Sequence, residues 1–435
     1  MNQRGADGGA VGYRELDRDT LAALLLELLL TGHLIDRSGM AHVIGDYGRE
    51  VMTNVAIEEW RAASPVYTGR IRAALSITDD GVADIFKAMQ FDIGAPPQFM
   101  DFRFGVTDHD HGDFVLAHCG ALIDVEPMGD EYVTGMCHDI EDPTFDATAI
   151  ATNRRARVRP VHRPPRTPAD RTPHCSWTVT IDPAADELPI PPSAERMRAT
   201  AIASVALSPI DPADDGRTDY AGPLLSDLRA ADWSRSALVR LCEEMAAQQH
   251  MLALGFRWGI AAHSGDDRPD IVAKQLTGIA GLTASRLRAA LGLADNAAGL
   301  ADMLAVHPLL NPVQYTGAAV DVSGEQVSVQ LPAQSAAVAD GGWLACITAP
   351  STRVPDTDAV DAGTPNTAVF AAIAQGFAPT WTVQSAHRDD RGLTVSFGRG
   401  EAVGEPVEVA ITRFSTGAAF AFNDGRIPLE ITPIG

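Results

Sequence analysis

Residues 70–75 read Arg70-Ile71-Arg72-Ala73-Ala74-Leu75, and residues 286–291 read Arg286-Leu287-Arg288-Ala289-Ala290-Leu291. The two hexapeptides lie 216 positions apart. Three further positions return after 217, so that Leu21, Leu24 and His33 correspond to Leu238, Leu241 and His250. Self-similarity at one long interval indicates an internal repeat. We therefore predict two tandem copies of one unit, with a gap of one residue between the two pairings.

The pattern around the first hexapeptide is helical and then changes to the period of a strand. The predicted elements are, in order, helices over 17–30, 49–63, 66–75 and 81–89, a hairpin of 102–106 and 114–118, a helix opened by Asp142-Pro143, and a hairpin of 155–161 and 176–181. Each repeat is thus predicted to be α+β, with a helical N-terminal half followed by a small antiparallel sheet of two hairpins and an intervening helix.

The second repeat follows the same order with weaker chemistry. Residues 315–322 take the place of 99–106, Thr364-Pro365 opens the intervening helix, and 381–385 with 393–397 form the last hairpin. Cys346 corresponds to Cys137. The expected division is residues 1–182 for the first repeat, 183–230 for a linker rich in Pro, Ala and Asp, and 231–435 for a degenerate second repeat.

Composition bounds the class of protein. The chain has 435 residues, 46% of them hydrophobic, and a formal net charge of -23, which repels nucleic acid and anionic membranes. No apolar stretch is long enough to span a bilayer, so no membrane partner is expected. Five cysteines in a long chain without a signal-peptide core favour a cytoplasmic location.

Three cysteines of the first repeat each have a histidine beside them: His118-Cys119, Cys137-His138 and His174-Cys175. Cys119, Cys137, Cys175 and His138 together would offer the soft ligands that zinc or iron favours. Alternatively, Cys137 is a nucleophile ahead of the predicted helix at residue 142, with Asp139 or Glu141 orienting a histidine or activating water. The third interpretation is that all three are buried thiols that act as small hydrophobic side chains.

Two other groups of polar residues are candidates. His111, in the Asp108-His109-Asp110-His111 turn, is either a solvated turn residue or an acid, base or ligand that reaches the cysteines. Arg155, Arg157 and Arg159 share one face of a predicted strand. They either bind a substrate carboxylate or pair with acidic groups of the same protein or of its partner copy. The matched His33 and His250 are expected to be satisfied polar residues at a helix interface.

The cysteine framework resembles the L-2-amino-thiazoline-4-carboxylic acid hydrolase-like family and, more remotely, the V4R ligand-binding domains. The resemblance covers residues 17–182 and is carried by four runs: 115–119 (VLAHC), 128–131 (MGDE), 136–139 (MCHD) and 174–179 (HCSWTV). It implies a hydrolase that acts on a C–N bond of a small cyclic or amide-like molecule. The alternative that it implies is a non-catalytic module that binds a small ligand or a metal, or a structural subunit of a complex.

The repeat also predicts how the two halves pack. A duplicated unit retains the interface through which single copies associate, so the halves should form a pseudo-twofold pair. The apolar stripe of Leu21, Leu24 and Leu28 would then face Leu238, Leu241 and Met245. A small-molecule substrate and self-association into a homo-oligomer are the remaining expectations about partners.

Overall fold

The computed structural model describes residues 12–343 and 365–413, and they form an α+β fold with two four-stranded antiparallel sheets. The elements of the first repeat are α1 (Arg18–His33), α2 (Arg37–Tyr47), α3 (Arg49–Ala74), α4 (Val82–Met89), β1 (Met100–Val106), β2 (His111–Cys119), α5 (Gly120–Val125), α6 (Asp130–Thr134), α7 (Glu141–Ala149), β3 (Ala156–His162) and β4 (Cys175–Ile181). Two short helices, α8 (Pro192–Arg198) and α9 (Ala201–Ser204), lie in the predicted linker.

The second repeat again has helices, a hairpin, helices and a second hairpin in that order, and its first helix spans the positions that α1 and α2 occupy in the first repeat. Its elements are α10 (Arg235–Ser264), α11 (Pro269–Leu291), α12 (Ala297–Val306), α13 (Val313–Thr316), β5 (Ala319–Ser323), β6 (Gln326–Pro332), α14 (Ala336–Ala339), α15 (Ala368–Phe377), β7 (Trp381–Arg388), β8 (Gly392–Arg399) and α16 (Val407–Arg413). The predicted correspondence of Cys346 with Cys137 and the helix start at Thr364 lie outside the described residues.

The two sheets have the same topology, β1-β2-β4-β3 and β5-β6-β8-β7. In the first sheet, Phe104, Phe114 and Trp177 lie side by side across three strands. In the second sheet, Val320, Val329 and Val395 hold the matching places. The predicted α+β repeat is therefore confirmed, with each sheet following its own set of helices.

Local signals explain most of the helix starts, and tertiary packing explains the exceptions. Asp17 caps α1, because its carboxylate accepts a hydrogen bond from the Thr20 amide at 2.8 Å. The sequence predicts two helices that meet near Pro65, and this is wrong. A single helix, α3, runs through Pro65, and this proline lies on a buried part of the helix. Helix α2 was not predicted, because its apolar periodicity is weak.

The prediction that Asp142-Pro143 opens a helix is also wrong. Residues 135–140 are a π-helical segment that joins α6 to α7 without interruption. Proline inside a helix lacks an amide donor and crowds the carbonyl of the preceding turn, and a π turn just before Pro143 widens the helix there. Cys137 and His138 therefore lie within a continuous helical stretch that runs on into α7, with no free helix N-terminus after them.

The helical halves of the two repeats pack against each other through reciprocal contacts. Arg70 of the first repeat pairs with Glu244 of the second at 2.8 Å, and Arg286 of the second pairs with Glu27 of the first. These are equivalent positions, because Arg286 follows Arg70 by 216 residues and Glu244 follows Glu27 by 217. A pair of contacts in which each copy offers the same surface to the other defines a pseudo-twofold relation.

The segments before α1 and α10 cross in the same reciprocal way. The Arg18 guanidinium donates to the Trp233 carbonyl at 2.7 Å, and the Arg235 guanidinium donates to the Leu16 carbonyl at 2.8 Å. Both intervals are 217 residues. The arm that leads into each repeat is thus held by the other repeat.

Close approach of the helices requires glycine at equivalent positions. A Cβ atom at Gly255 would lie 2.7 Å from the Glu59 carbonyl oxygen, and one at Gly39 would lie 2.9 Å from the Cβ of Gln275. Between α1 and α10, the Gln249 side chain donates to the Leu28 carbonyl at 3.0 Å. The predicted packing of α1 against α10 is confirmed, and the six residues of the two stripes are 0% exposed.

Within the described ranges, every helix is too short or too polar to serve as a transmembrane span.

Candidate functional site

The first repeat contains a pocket with a cavity volume of about 120 Å³, partly open to solvent, between its helical half and its sheet. Helices α1 to α3 form one wall, β1 and β2 another, and α7 a third. Its lining is mostly apolar or aromatic, with a few ionisable groups; the residues are His33, Asp36, Arg37, Ala56, Trp60, Met89, Asp92, Gly94, Ala95, Met100, Phe102, Leu116, Ala121, Met136, Ile140, Glu141, Thr144, Phe145 and Thr148. This is the composition of a small-molecule site.

A second cavity adjoins the pocket and shares Met89, Ala95, Met100 and Phe102 with its lining. It extends along α1 and β1 to the segment that precedes α10, where Arg229 and Trp233 line it. The arm of the second repeat thus forms part of the approach to the pocket of the first.

Three ionisable residues meet where α1 ends and α2 begins. The Arg37 guanidinium lies 3.3 Å from an Asp36 oxygen, 3.8 Å from an Asp124 oxygen and 3.3 Å from His33 Nε2. Burial and the charge of Arg37 lower the pKa of His33 well below its usual range, so this imidazole is neutral near pH 7. Burial raises the pKa of Asp36, and the charge of Arg37 opposes that rise.

Asp92 enters the pocket from the turn after α4. Its Oδ1 accepts hydrogen bonds from the Tyr67 hydroxyl and the Gly94 amide, both at 2.7 Å. Burial raises the pKa of Asp92 to about 6, and these two hydrogen bonds limit the rise. The carboxyl is therefore mostly ionised at pH 7.

Glu141, the first residue of α7, contributes a second carboxyl to the same pocket. Its Oε2 atom is buried and has no hydrogen-bond partner in the structure. Burial raises the pKa of Glu141 to about 8, and the charge of Arg163 opposes that rise. Near pH 7 this carboxyl is mostly protonated, so it can donate a proton.

The three cysteines lie behind the pocket and are almost completely buried, with 3%, 2% and 4% exposure for Cys119, Cys137 and Cys175. Burial, followed by the charge of Glu141, raises the pKa of all three thiols, to about 12 for Cys119. A thiol in this setting is protonated and a poor nucleophile. A nucleophilic Cys137 would need a lowered pKa, whereas burial within a continuous helix raises the pKa of this thiol.

Cys119 has a structural role that its counterpart repeats. Its sulphur accepts a hydrogen bond from the Leu122 amide at 3.4 Å, at the N-terminus of α5. In the second repeat, the Ser335 hydroxyl accepts from the Val338 amide at 3.3 Å, and both positions are shifted by 216 residues. Cys175 pairs with Leu116 just as Leu393 pairs with Leu331. The two cysteines thus occupy a capping position and an apolar position of the shared fold.

The proposed metal ligands are near one another but are not gathered as a metal ion requires. A metal site needs at least three ligand atoms close together. Among the described residues, the one group of three His, Cys, Asp or Glu ligand atoms within 4.8 Å of one another is formed by the exposed Asp79, Asp80 and His109. His138 donates from Nε2 to the Pro164 carbonyl at 2.7 Å, which leaves Nδ1 as its lone-pair nitrogen. The cysteines as they lie do not form a four-ligand site, and binding of zinc or iron there stays a prediction.

The other predicted residues lie away from the pocket. Asp139 is exposed on the outer side of the π-helical segment. His111 begins β2 and Cys119 ends it, so the two are about 26 Å apart at the usual strand rise. The His111 ring pairs with Asp108 at 2.8 Å in the solvated turn. Glu141 is thus the one predicted catalytic residue that lines the pocket.

The arginine stripe is placed on the outer strand of the first sheet. Arg155 pairs with Glu187 at 2.7 Å, and Arg159 pairs with Asp146 at 2.9 Å. Arg157 donates to the Asp186 carbonyl at 2.6 Å. These contacts match the alternative that the stripe pairs with groups of the same chain.

Sequence reasoning missed Asp36, Arg37 and Asp92 and undervalued His33. The signal was present, because His33 and Asp92 lie inside apolar runs that end at Ile35 and Ile93, and Asp36 and Arg37 directly follow the first of these runs. His250 behaves as predicted, since its ring is buried and bonded to the Asn311 carbonyl at 2.7 Å.

Comparison of the chain with protein-family models, with curated proteins and with solved structures finds no match.

Proposed function

We propose that the first repeat is a hydrolase that cleaves a C–N bond of a small cyclic or amide-like molecule in the pocket between its helices and its sheet. One observation carries the proposal. Asp92 and Glu141 line the same pocket, and their environments raise their pKa values to different levels, about 6 and about 8. Two carboxyls displaced in this way are an ionised base and a protonated acid at the same neutral pH.

The two carboxyls supply the proton transfers of hydrolysis. Asp92 accepts a proton from a water molecule while the oxygen of that water bonds to the substrate carbon. The product of this step is a tetrahedral intermediate. Glu141 gives its proton to the substrate nitrogen as the C–N bond breaks, so the nitrogen leaves as a neutral amine. The proton on Asp92 returns to Glu141 through solvent, which restores both groups.

The remaining lining would position the substrate and exclude water. Trp60, Phe102 and Phe145 offer flat apolar surfaces to a small ring. Tyr67 fixes the rotamer of Asp92 through the hydrogen bond from its hydroxyl. The cysteines take no part in these steps.

The second candidate function is a binding module without catalysis. It is favoured by the cysteines, since three buried protonated thiols provide neither a nucleophile nor a charged ligand. A module of this kind would use the same pocket and would leave its ligand unchanged.

A substrate panel separates the two candidates. The full chain is incubated with small lactams, cyclic amidines and linear amides, and release of the amine is followed between pH 5 and pH 9. Hydrolysis should rise through a limb near the pKa of Asp92 and fall through a limb near that of Glu141.

The matched variants are Glu141→Gln and Asp139→Asn. Glu141→Gln should lower the rate by about a hundredfold or more, the usual share of a general acid. Asp139→Asn, close in sequence but exposed, should leave the rate unchanged. Binding of panel members without turnover would instead support the module.

A further inference from the structure

The charges around the pocket do not balance, and this imbalance selects the kind of molecule that it accepts. Three carboxyl residues line the pocket: Asp36, Asp92 and Glu141. Of the residues in the lining, Arg37 is the one arginine or lysine. A mostly apolar cavity with three acids and one permanent cation carries excess negative potential whenever its acids ionise.

The charge of Arg37 is already offset by acidic groups, while its buried Nε has no hydrogen-bond partner. Its guanidinium faces Asp36 at 3.3 Å and Asp124 at 3.8 Å, and the plane of the Phe99 ring lies beneath it with the centroid at 5.9 Å. A ligand carboxylate at Arg37 would have to compete with both aspartates. The pocket is therefore poorly suited to an anion.

One unmatched carboxyl oxygen remains in the lining of the pocket. Glu141 Oε2 is buried without a hydrogen-bond partner. Buried acceptors without donors gain the most from a ligand that carries several N–H groups and a positive charge.

The apolar part of the lining is also compatible with a cation. Trp60, Phe102 and Phe145 present aromatic rings to the pocket, and Met100 and Met136 present polarisable sulphur. Aromatic faces attract organic cations and tolerate the apolar body to which the charge is attached.

From this arrangement we infer that the pocket takes an organic cation, an amidinium or ammonium group on a small apolar body, with its N–H groups directed at Glu141 and Asp92. The inference rests on the proposed function for the location of the site and extends it by naming the charge of the substrate. A cyclic amidine in its protonated form combines this charge with a cleavable C–N bond.

The test uses three probes of nearly the same shape: benzamidinium, benzamide and benzoate. Their affinities for the full chain are measured by titration calorimetry at physiological ionic strength. Benzamidinium should bind at least about tenfold more tightly than benzamide, and benzoate should bind most weakly. Equal or tighter binding of benzamide or benzoate, or no binding of benzamidinium, would overturn the inference.

Two variants separate the pocket from the general field of an acidic chain. Asp92→Asn removes a carboxylate that is mostly ionised at pH 7 and should reduce the preference for benzamidinium over benzamide by about tenfold. Glu131→Gln removes one charge from a side chain that is 84% exposed, outside the pocket, and should change it less than about twofold. An equal loss in both variants would assign the preference to long-range attraction and overturn the inference.

The unaltered chain decides the matter if a variant fails to fold, because the ranking of the three probes needs no mutation. The outcome is also separable from that of the hydrolase proposal. Tight binding of benzamidinium without turnover of any cation sustains the inference and removes the hydrolase. Turnover confined to neutral amides, with benzamide bound best, does the reverse.

Discussion

The two repeats share a fold and differ in what fills the space between helices and sheet. Where the first repeat has Asp36, Arg37 and Trp60, the second has Ala253, Leu254 and Leu276, each 4% exposed or less. The buried Glu59 corresponds to Gln275. At the interface the repeats are alike, with reciprocal ion pairs and crossing arms. The difference shows that packing is retained in both copies, whereas these positions between helices and sheet carry ionisable groups in the first copy only.

Substitutions that exchange the residue types of Glu59 and Gln275 should change the free energy of unfolding most. Both side chains are 0% exposed and have no hydrogen-bond partner. Burial raises the pKa of Glu59 well above its usual range. The free energy of unfolding should therefore fall as the pH rises above about 4.3, where the unfolded glutamate ionises first.

Glu59→Gln should remove this decline, and Gln275→Glu should add one, with a loss of about 3–5 kcal/mol at pH 8. Urea unfolding at pH 5 and pH 8 measures both. A Gln275→Glu variant as stable at pH 8 as at pH 5 would mean that the second position is not closed to water, contrary to the comparison.

Truncation of equivalent leucines at the interface should destabilise the two repeats by the same amount. Leu24 and Leu241 occupy equivalent positions and are both 0% exposed. Leu24→Ala and Leu241→Ala should each lower the free energy of unfolding by about 2–5 kcal/mol, with values close to each other. Denaturant titration gives both numbers, and a large difference between them would contradict the pseudo-twofold packing.

Both reciprocal ion pairs should stabilise the chain, and they should do so by different amounts of free energy. The Glu244 side chain is 0% exposed, whereas that of Glu27 is 15% exposed. Arg70→Ala should therefore destabilise the chain more than Arg286→Ala, by about 1–3 kcal/mol against about 1 kcal/mol. Arg240, which also pairs with Glu244 at 2.9 Å, limits the first loss. Thermal unfolding of the two variants tests the order.

The smallest effect is expected at the capping cysteine. Because Ser335 caps α14 in the second repeat as Cys119 caps α5 in the first, Cys119→Ser should change the free energy of unfolding by less than about 1 kcal/mol.

Cys137→Ser tests whether the cysteines bind a metal. Retention of full zinc or iron content in that variant, measured by elemental analysis, would remove the cysteine site from consideration.

The fold could be predicted because its signals are local and occur twice. Alternation in 102–106 and 114–118 gives the first hairpin, and the 216-residue interval gives the second sheet without further argument. The π-helical segment at 135–140 could not be predicted, since Asp142-Pro143 shortly after it is an ordinary signal for the start of a helix.

The site was predicted less well for a different reason. Cysteines and histidines attract attention by residue type, but burial decides their chemistry, and burial depends on contacts between distant segments. Only Glu141 was identified among the ionisable residues of the pocket that could transfer a proton. Asp92 depends on Tyr67, 25 positions away, to fix its orientation, and that relation has no local pattern.

The two repeats hold each other through crossing arms and are joined in one chain, and this has a consequence for how their sequences diverge. In a dimer of separate chains, every substitution appears on both sides of the twofold axis, so a buried charge must be tolerated twice. Here the linker joins the two copies and keeps each at a high effective concentration for the other. A change such as Glu59 against Gln275 then occurs on one side only. The tandem chain can therefore accumulate reactive, poorly solvated groups in one half while the other half supplies rigidity.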